Sequence, residues 1–448
     1  MKNSIEREFN FVTLLKFALP TIIMMVVSSL YSIVDSIFVS RIVGVDALSA
    51  LNIVFPVISI IIALAVMLGT GGSAIIARQL GEKQPDKAKN SFTFIVIVGV
   101  VLGAIVMAIG LIFIKPIIYG LGSSELLYAY CYEYLRAFLF FTIPYILQLL
   151  FQAFFVTAGK PTLGMVLTIT AGVANVILDY VFVAVFDFGV QGAAVATGMG
   201  SLIPAVVGIL YFSRNAGTLR FVKPSWDSKV LKETCSNGSS EMVTNLAVAV
   251  TTFLFNIILM KYLGADGVAA VTIMLYVQFL LTAIFIGFSL GVGPVISYNY
   301  GAQNNKQLYK IYGICQKFVL ICSVVMYLIS TIFASLLITI FTAKGTNVYI
   351  IAQHGFKIFS ISFLFAGINI FASALFTALS NGKVSAMISF MRTFVFIVIS
   401  LFVFPKWFSV DGIWMAIPFA EVMTMIVSGW FLIKRREDYG YRKVIRSS

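Results

Sequence analysis

Charged residues are scarce in this sequence. Asp, Glu, Lys and Arg make up 11% of its 448 residues, whereas hydrophobic residues make up 60%. A soluble domain carries about 25% charged residues, because its surface must face water. The composition, with a mean hydropathy of +1.01, therefore excludes a soluble globular domain and indicates a chain that crosses a membrane many times.

Residues that carry catalytic, redox or metal chemistry are also rare. The chain has one histidine, and its four cysteines show neither CxxC nor zinc-ligand spacing: Cys131, Cys235, Cys315 and Cys322. No segment matches the GxxxxGK[ST] phosphate-binding loop. These absences argue against an enzyme and against a nucleotide-driven pump. We expect no cofactor and no metal site apart from one that hard oxygen ligands could form.

Acidic residues are outnumbered by basic ones, 18 to 31, which leaves a net charge of +13. Nucleic-acid binding could require this excess, but the distribution of the basic residues follows membrane orientation instead. If the chain starts in the cytoplasm and crosses twelve times, all but seven basic residues lie on or near the cytoplasmic side. We therefore expect both termini in the cytoplasm and no nucleic-acid partner. The seven exceptions are Arg41, Lys115, Arg136, Lys261, Lys344, Lys357 and Lys406.

Long apolar segments fill most of the chain. Each has about 20 residues or more, which is enough for one helical crossing of a bilayer. The sequence thus predicts an all-α polytopic membrane protein with twelve transmembrane helices. The predicted spans are 12–41, 48–78, 91–118, 127–158, 162–186, 191–213, 230–261, 268–299, 308–341, 349–380, 384–404 and 411–434.

The two halves of the chain resemble each other after a shift of about 220 residues. Val39–Ala50 resembles Leu259–Ala270, and Val190–Gly192 resembles Val410–Gly412. Six crossings are an even number, so both halves enter the membrane from the same side. This predicts a pseudo-two-fold axis along the membrane normal, with substrate bound between the halves. The predicted parts are an N-terminal six-helix lobe (1–214), a cytoplasmic linker (215–229) and a C-terminal six-helix lobe with a basic cytoplasmic tail (230–448).

Asp35 lies within the first apolar segment, where a charged side chain costs roughly 2.5 to 3.5 kcal/mol. Such a group normally faces the protein interior or a wet cavity and has partners. Asn175 and Asp179 share one face of the fifth predicted helix, and Thr197 lies in the sixth. At 1.5 Å per residue from the predicted helix ends, Asp35, Asp179 and Thr197 lie about 9 to 12 Å below the outer surface, and we expect Asn175 to join them from the same face as Asp179.

The sequence therefore predicts a cation site formed by Asp35, Asn175, Asp179 and Thr197. Hard oxygen ligands of this kind suit Na⁺. Two carboxylates in one apolar site equally suit a proton, because one of them resists ionisation beside the other. The residues leave the choice between Na⁺ and H⁺ open.

Four further polar residues in apolar segments are candidates for contact with substrate. Glu241 lies in the seventh predicted helix and Glu421 in the twelfth, while Gln148 and Gln152 share one face of the fourth. Each has a structural alternative. A protonated Glu421 could bond to a neighbouring helix, and the glutamines could tie helices together.

At this point the sequence resembles the multidrug and toxic compound extrusion (MATE) family over essentially its whole length. The resemblance implies two six-helix bundles in a V that opens alternately to each side and exports amphipathic, often cationic, drug-like compounds in exchange for Na⁺ or H⁺. It also implies that the four predicted residues bind the cation, and Glu241 resembles an acid that many members carry in helix seven. The resemblance is carried by Ser28–Arg41, Thr70–Gly81, its counterpart Gly291–Gly301, the Asn175 and Asp179 pair, and Gly192–Thr197.

The resemblance further implies a multi-pass protein of the bacterial inner membrane, in contact with lipid, which we expect to be a monomer. Some relatives have an aspartate in helix ten, whereas this chain has no acid from Tyr349 to Ser380. The alternative function is a lipid-linked saccharide flippase of the same wider superfamily. Those proteins have more helices and basic cavities for pyrophosphate, whereas the predicted membrane interior here is acidic.

Overall fold

The computed structural model of the chain describes residues 4–38, 42–214, 217–439 and 441. Within these residues the regular structure is helical, as expected where a bilayer offers no water to the backbone polar groups. The predicted end of the first helix at Arg41 and most of the basic tail lie outside the described residues.

Six crossings form the N-terminal lobe. The fourth bends by 57° at Phe141, and Pro144 follows in the first turn of its second half, where a missing backbone N–H is tolerated. Two short helices, Ser4–Glu6 and Ile114–Gly120, lie outside the crossings. The crossings are α1 (Phe11–Phe38), α2 (Val45–Gly81), α3 (Pro85–Ile112), α4 (Glu125–Phe140 and Thr142–Thr157), α5 (Pro161–Val185) and α6 (Gly189–Arg214).

The C-terminal lobe begins with one helical element of 74 residues, Ser228–Gly301. A straight helix of that length would measure about 110 Å, far more than one crossing. Gly264 breaks it with a φ of 65°, a left-handed conformation that glycine adopts without strain. The break separates α7 (228–263) from α8 (265–301).

Four more crossings complete the C-terminal lobe. The described residues then form twelve crossings, which confirms the predicted architecture. The short helices Ala334–Thr339 and Pro405–Trp414 adjoin them. The four crossings are α9 (Asn305–Ile332), α10 (Asn347–Ala378), α11 (Gly382–Val403) and α12 (Ala416–Lys434).

The linker between the lobes packs against one end of α3. Leu219 is fully buried, and the backbone N–H of Val222 donates to Thr93 Oγ1 at 3.1 Å. The N–H of Ser225 donates to Asn90 Oδ1 at 3.2 Å. The linker is therefore ordered on the face of the bundle where α1 begins and α12 ends. We call this the terminal face, and the other end the distal face.

The lobes meet through close backbone contacts. A Cβ atom on Gly81, at the end of α2, would overlap the carbonyl oxygen of Tyr298 on α8. A Cβ atom on Gly301, at the end of α8, would overlap the carbonyl oxygen of Arg78 on α2. Each contact becomes the other after a shift of 220 residues, which is the reciprocal pattern that a two-fold axis produces.

These contacts lie in the half of the bundle nearer the terminal face. On α7, a Cβ atom on Gly238 would overlap the carbonyl oxygen of Met67 on α2. An ion pair crosses the same interface, with Arg78 Nη2 at 2.7 Å from Glu233 Oε2. The cleft between the lobes is therefore closed at the terminal face.

The glycine contacts predict that Gly301→Ala destabilises the packed lobes. The added methyl group meets backbone, which cannot rotate away, so we expect a loss of roughly 1–3 kcal/mol in the free energy of unfolding. Thermal unfolding in detergent measures the effect. Gly293→Ala, on the same helix, is the matched control, because no atom lies within 4 Å of its Cβ position. Equal unfolding temperatures for the two variants would refute this account of the interface.

Candidate functional site

Glycines bring α1, α5 and α6 close together. A Cβ atom on Gly172 of α5 would lie 3.0 Å from the ring of Tyr31 on α1. A Cβ atom on Gly200 of α6 would lie 3.1 Å from the carbonyl oxygen of Ala171 on α5. Because these positions carry no side chain, α5 packs tightly against both neighbours, and polar residues on the three helices come within contact distance.

The predicted cation-site residues meet at this junction. The carboxyl groups of Asp35 on α1 and Asp179 on α5 contact each other, and Asp179 is only 1% exposed. One turn away, Asn175 Nδ2 donates to Thr197 Oγ1 on α6 at 3.3 Å. Asp179 is also the last residue before a π-helical turn, Tyr180–Val185, a feature that often accompanies functional sites. The structure thus brings together all four residues.

The acid pair lacks a basic partner in the described part of the chain. Asp35 Oδ1, Asn175 Oδ1 and both carboxylate oxygens of Asp179 are buried and accept no hydrogen bond from a described residue. Two carboxylates in contact repel each other unless a proton or a cation lies between them. Four acceptor oxygens in an apolar lobe can therefore share a proton or contribute to the coordination of Na⁺.

The two glutamines of α4 support this site. Gln148 hydrogen-bonds the side chain of Tyr31, which lies one helical turn from Asp35 on α1. Gln152 Nε2 donates to Thr168 Oγ1 on α5 at 3.2 Å. Both glutamine side chains are buried. The structure thus places them inside the lobe, where they tie α4 to α1 and to α5.

In the C-terminal lobe, Glu421 has the basic partner that the acid pair lacks. Glu421 Oε1 accepts from Arg392 Nε at 2.8 Å, and its Oε2 accepts from Asn369 Nδ2 at 2.7 Å. Ser428 Oγ donates to Asn369 Oδ1 at 2.9 Å, which orients the amide. Glu421 is 2% exposed, so this is a buried ion pair joining α10, α11 and α12.

Sequence reasoning missed Arg392. The predicted charge distribution places this residue near the cytoplasmic side and leaves the membrane interior acidic, which is wrong at Arg392. Arg392 lies in a π-helical turn of α11, Met391–Val395, inside the lobe. Glu241 on α7 is half-buried and lies within electrostatic range of the Arg392 guanidinium. The sequence does contain a signal for the buried position of Arg392: it is a lone arginine within an apolar segment, ten residues after Gly382.

The ion pair predicts that Glu421→Gln lowers stability by about 3–5 kcal/mol, because it leaves a buried guanidinium without a carboxylate. Combining it with Arg392→Met should recover most of the loss, since both charges are then gone. Thermal unfolding in detergent measures both effects. Asp411→Asn is the control, because its bond to His354 is exposed to solvent. A variant with lost transport but unchanged stability would instead assign Glu421 a role in substrate translocation.

Comparisons with known proteins identify relatives of this chain over both lobes. A family model described as MatE matches residues 20–181 and 242–402, once in each lobe. The multidrug export protein MepA of Staphylococcus saprophyticus subsp. saprophyticus is 26% identical over 428 residues, which covers 94% of this chain and 93% of MepA.

Solved structures show the same fold. A crystal structure of MATE in complex with MaL6 superposes with a TM-score of 0.91 at 22% identity, over 97% of this chain and 98% of that one. An outward-facing multidrug resistance MATE family transporter of the MOP superfamily superposes with a TM-score of 0.90 at 22% identity, over 98% of this chain and 100% of that one. Because the family model matches most of the sequence, the predicted resemblance is confirmed, and the chain belongs to the MatE (multidrug and toxic compound extrusion) family of transporters.

Proposed function

We propose that this protein is a secondary active multidrug efflux antiporter, which exports amphipathic, often cationic compounds in exchange for Na⁺ or H⁺. The observation that carries the proposal is the contact between Asp35 and Asp179, which no described basic residue neutralises. Such a pair can bind and release one cation. Family membership and the similarity to MepA, which is named as a multidrug export protein, support the export of drugs.

The coupling between cation and substrate runs through α1. Asp35 lies on this helix toward the distal face, and Thr21 lies on it nearer the terminal face. Thr21 contacts α8 so closely that a Cβ atom on Gly291 would overlap its Oγ1. A cation between Asp35 and Asp179 holds α1 against α5, so its release changes how α1 packs on the other lobe. Antiport follows if cation and substrate have different affinities for the two lobe arrangements.

The terminal face is cytoplasmic in this proposal. The linker residues on this face include Arg220 and Lys223, and basic residues flank the cytoplasmic ends of membrane helices. Because the lobes meet near the terminal face, the cleft between them opens toward the cell exterior. The structure then represents an outward-facing state, from which substrate leaves and a cation enters.

A lipid-linked saccharide flippase, the alternative function, needs free basic groups for a pyrophosphate. Arg392 is a basic residue inside the C-terminal lobe, and Glu421 already binds its guanidinium through two nitrogens at 2.8 Å. The geometry therefore favours cation exchange at the acid pair.

The proposal predicts that Asp35→Asn and Asp179→Asn each reduce gradient-driven efflux about tenfold or more while leaving the fold intact. Each change removes the repulsion that a bound cation relieves, so the site no longer exchanges one. Thr197→Ala should have a smaller effect, because a hydroxyl contributes a dipole and no charge. The measurement is ethidium efflux from proteoliposomes at equal protein. The control is Asp46→Asn, an exposed acid in the first turn of α2.

The same proteoliposomes identify the ion. Efflux driven by a Na⁺ gradient at constant pH indicates Na⁺, and efflux driven by a pH gradient without Na⁺ indicates H⁺. Wild-type coupling in Asp179→Asn would show that the acid pair does not drive transport.

The proposed orientation predicts opposite labelling of two introduced cysteines. In a background without the native cysteines, Lys344→Cys on the distal face should react with an impermeant maleimide in intact cells. Lys223→Cys in the linker should react only after the membrane is permeabilised. Both lysines are exposed, so access to the side chain does not differ. The reverse labelling pattern would place the terminal face outside.

A further inference from the structure

A cavity of about 250 Å³ lies at the surface of the N-terminal lobe, between the first half of α4 and the start of α6. Its rim carries the polar residues Glu133, Arg136 and Gln191, and apolar residues including Phe140 and Val195 line it deeper in the membrane. Neither the cation site nor the cleft between the lobes uses these residues.

The depth of the cavity matches the boundary between lipid headgroups and acyl chains. Gln191 is the third residue of α6, which begins at the distal face, and Val195 lies one turn deeper. On α4, the helical rise from Arg136 to Thr157, where the helix ends at the terminal face, is about 30 Å. This distance equals the thickness of a hydrocarbon core. Phe140 lies one turn below Arg136 and is 57% exposed. The cavity is therefore polar at the interface and apolar beneath it.

Two opposite charges line the cavity without a partner. Glu133 and Arg136 are exposed and lie three residues apart on α4, yet neither forms an ion pair in the part of the chain that the structure describes. The Arg136 guanidinium lies 5.8 Å from the ring centroid of Tyr132, a cation–π contact that orients the group and leaves its N–H donors free. The cavity thus offers one free anion and one oriented free cation.

The C-terminal lobe has different chemistry near the corresponding place. A shift of 220 residues takes Tyr134 and Gln191 to His354 and Asp411. His354 Nε2 and Asp411 Oδ1 are hydrogen-bonded at 2.7 Å, which ties the equivalent helices together directly. In the described part of the N-terminal lobe, no hydrogen bond joins Tyr134 to Gln191, and the cavity opens beside them.

We propose that this cavity binds the headgroup of a zwitterionic phospholipid of the phosphatidylethanolamine class. Its phosphate lies at Arg136, its ammonium group lies at Glu133, and its acyl chains begin against Phe140 and Val195. Arginine matches phosphate geometry through paired N–H donors. An anionic headgroup would satisfy Arg136 but meet repulsion from Glu133, so charge complementarity selects the zwitterion.

The test is lipid retention by the full-length protein. The protein is reconstituted in nanodiscs of equal phosphatidylethanolamine and phosphatidylglycerol, released into mild detergent and examined by native mass spectrometry. Arg136→Gln and Glu133→Gln should each lower the retained phosphatidylethanolamine about fivefold. Glu133→Asp keeps the negative charge at its place and should retain more phosphatidylethanolamine than Glu133→Gln. Lys344→Gln, which removes an exposed cation elsewhere on the distal face, should change nothing.

Three results would overturn the proposal. One is unchanged phosphatidylethanolamine in both single variants. Another is preferential retention of phosphatidylglycerol that only Arg136→Gln reduces, which would indicate an anionic headgroup. The third is displacement of the lipid by ethidium, which would make the cavity a substrate site. Thermal unfolding confirms that the variants are folded, and the readout is independent of transport, so the outcome does not depend on the antiporter proposal.

Discussion

A polar group inside a bilayer must find its partner within the protein, and this constraint shapes the whole molecule. Hydroxyls inside the helices bond back to carbonyls one turn earlier, as Thr70 does to Val66 and Ser400 to Phe396. Glu421 is matched with a guanidinium and an amide. The contact between Asp35 and Asp179 differs, because it joins two acids and its buried oxygens Asp35 Oδ1, Asp179 Oδ1 and Asp179 Oδ2 meet no described donor. Glu421 is thus neutralised within the described residues and the acid pair is not, which is the contrast on which the proposed cation exchange rests.

The two lobes share one scaffold but hold different chemistry. Both α5 and α11 contain a π-helical turn, next to Asp179 in one lobe and around Arg392 in the other, although the two turns are not equivalent positions of the repeat. In the N-terminal lobe the acid stands beside a second acid. In the C-terminal lobe an internal guanidinium supplies the positive charge permanently. The proposed cation exchange therefore concerns the first site alone, whereas the ion pair of the second ties helices together.

The interface between the lobes suits a protein that must open and close. It is made of glycines that let backbone meet backbone, together with an ion pair between Arg78 and Glu233. Contacts of this kind are short-ranged and depend on close fit, so a small rotation of one lobe breaks them together. Such a surface favours two discrete arrangements over a continuous range, which is what alternating access requires. Helix α1 contacts α8 near Thr21 and carries Asp35 closer to the distal face. In the proposed function, cation binding or release at the acid pair therefore changes the packing at this interface through α1.

The sequence by itself determined the membrane class, the number of crossings, the parallel repeat and the group of residues proposed as a cation site. Hydropathy and repetition are properties of the chain, and helical rise turns residue number into depth, so Asp35, Asp179 and Thr197 could be placed at one level without coordinates. Only the tertiary structure decided which groups are partners: that Asp35 contacts Asp179, that Gln148 bonds Tyr31, and that Arg392 lies inside the C-terminal lobe bound to Glu421. The physical reason is that depth fixes only one coordinate of a side chain. The partner of that side chain depends on the rotation of its helix and on where glycines allow helices to pack closely. Contacts with distant parts of the chain set both the rotation and the close packing.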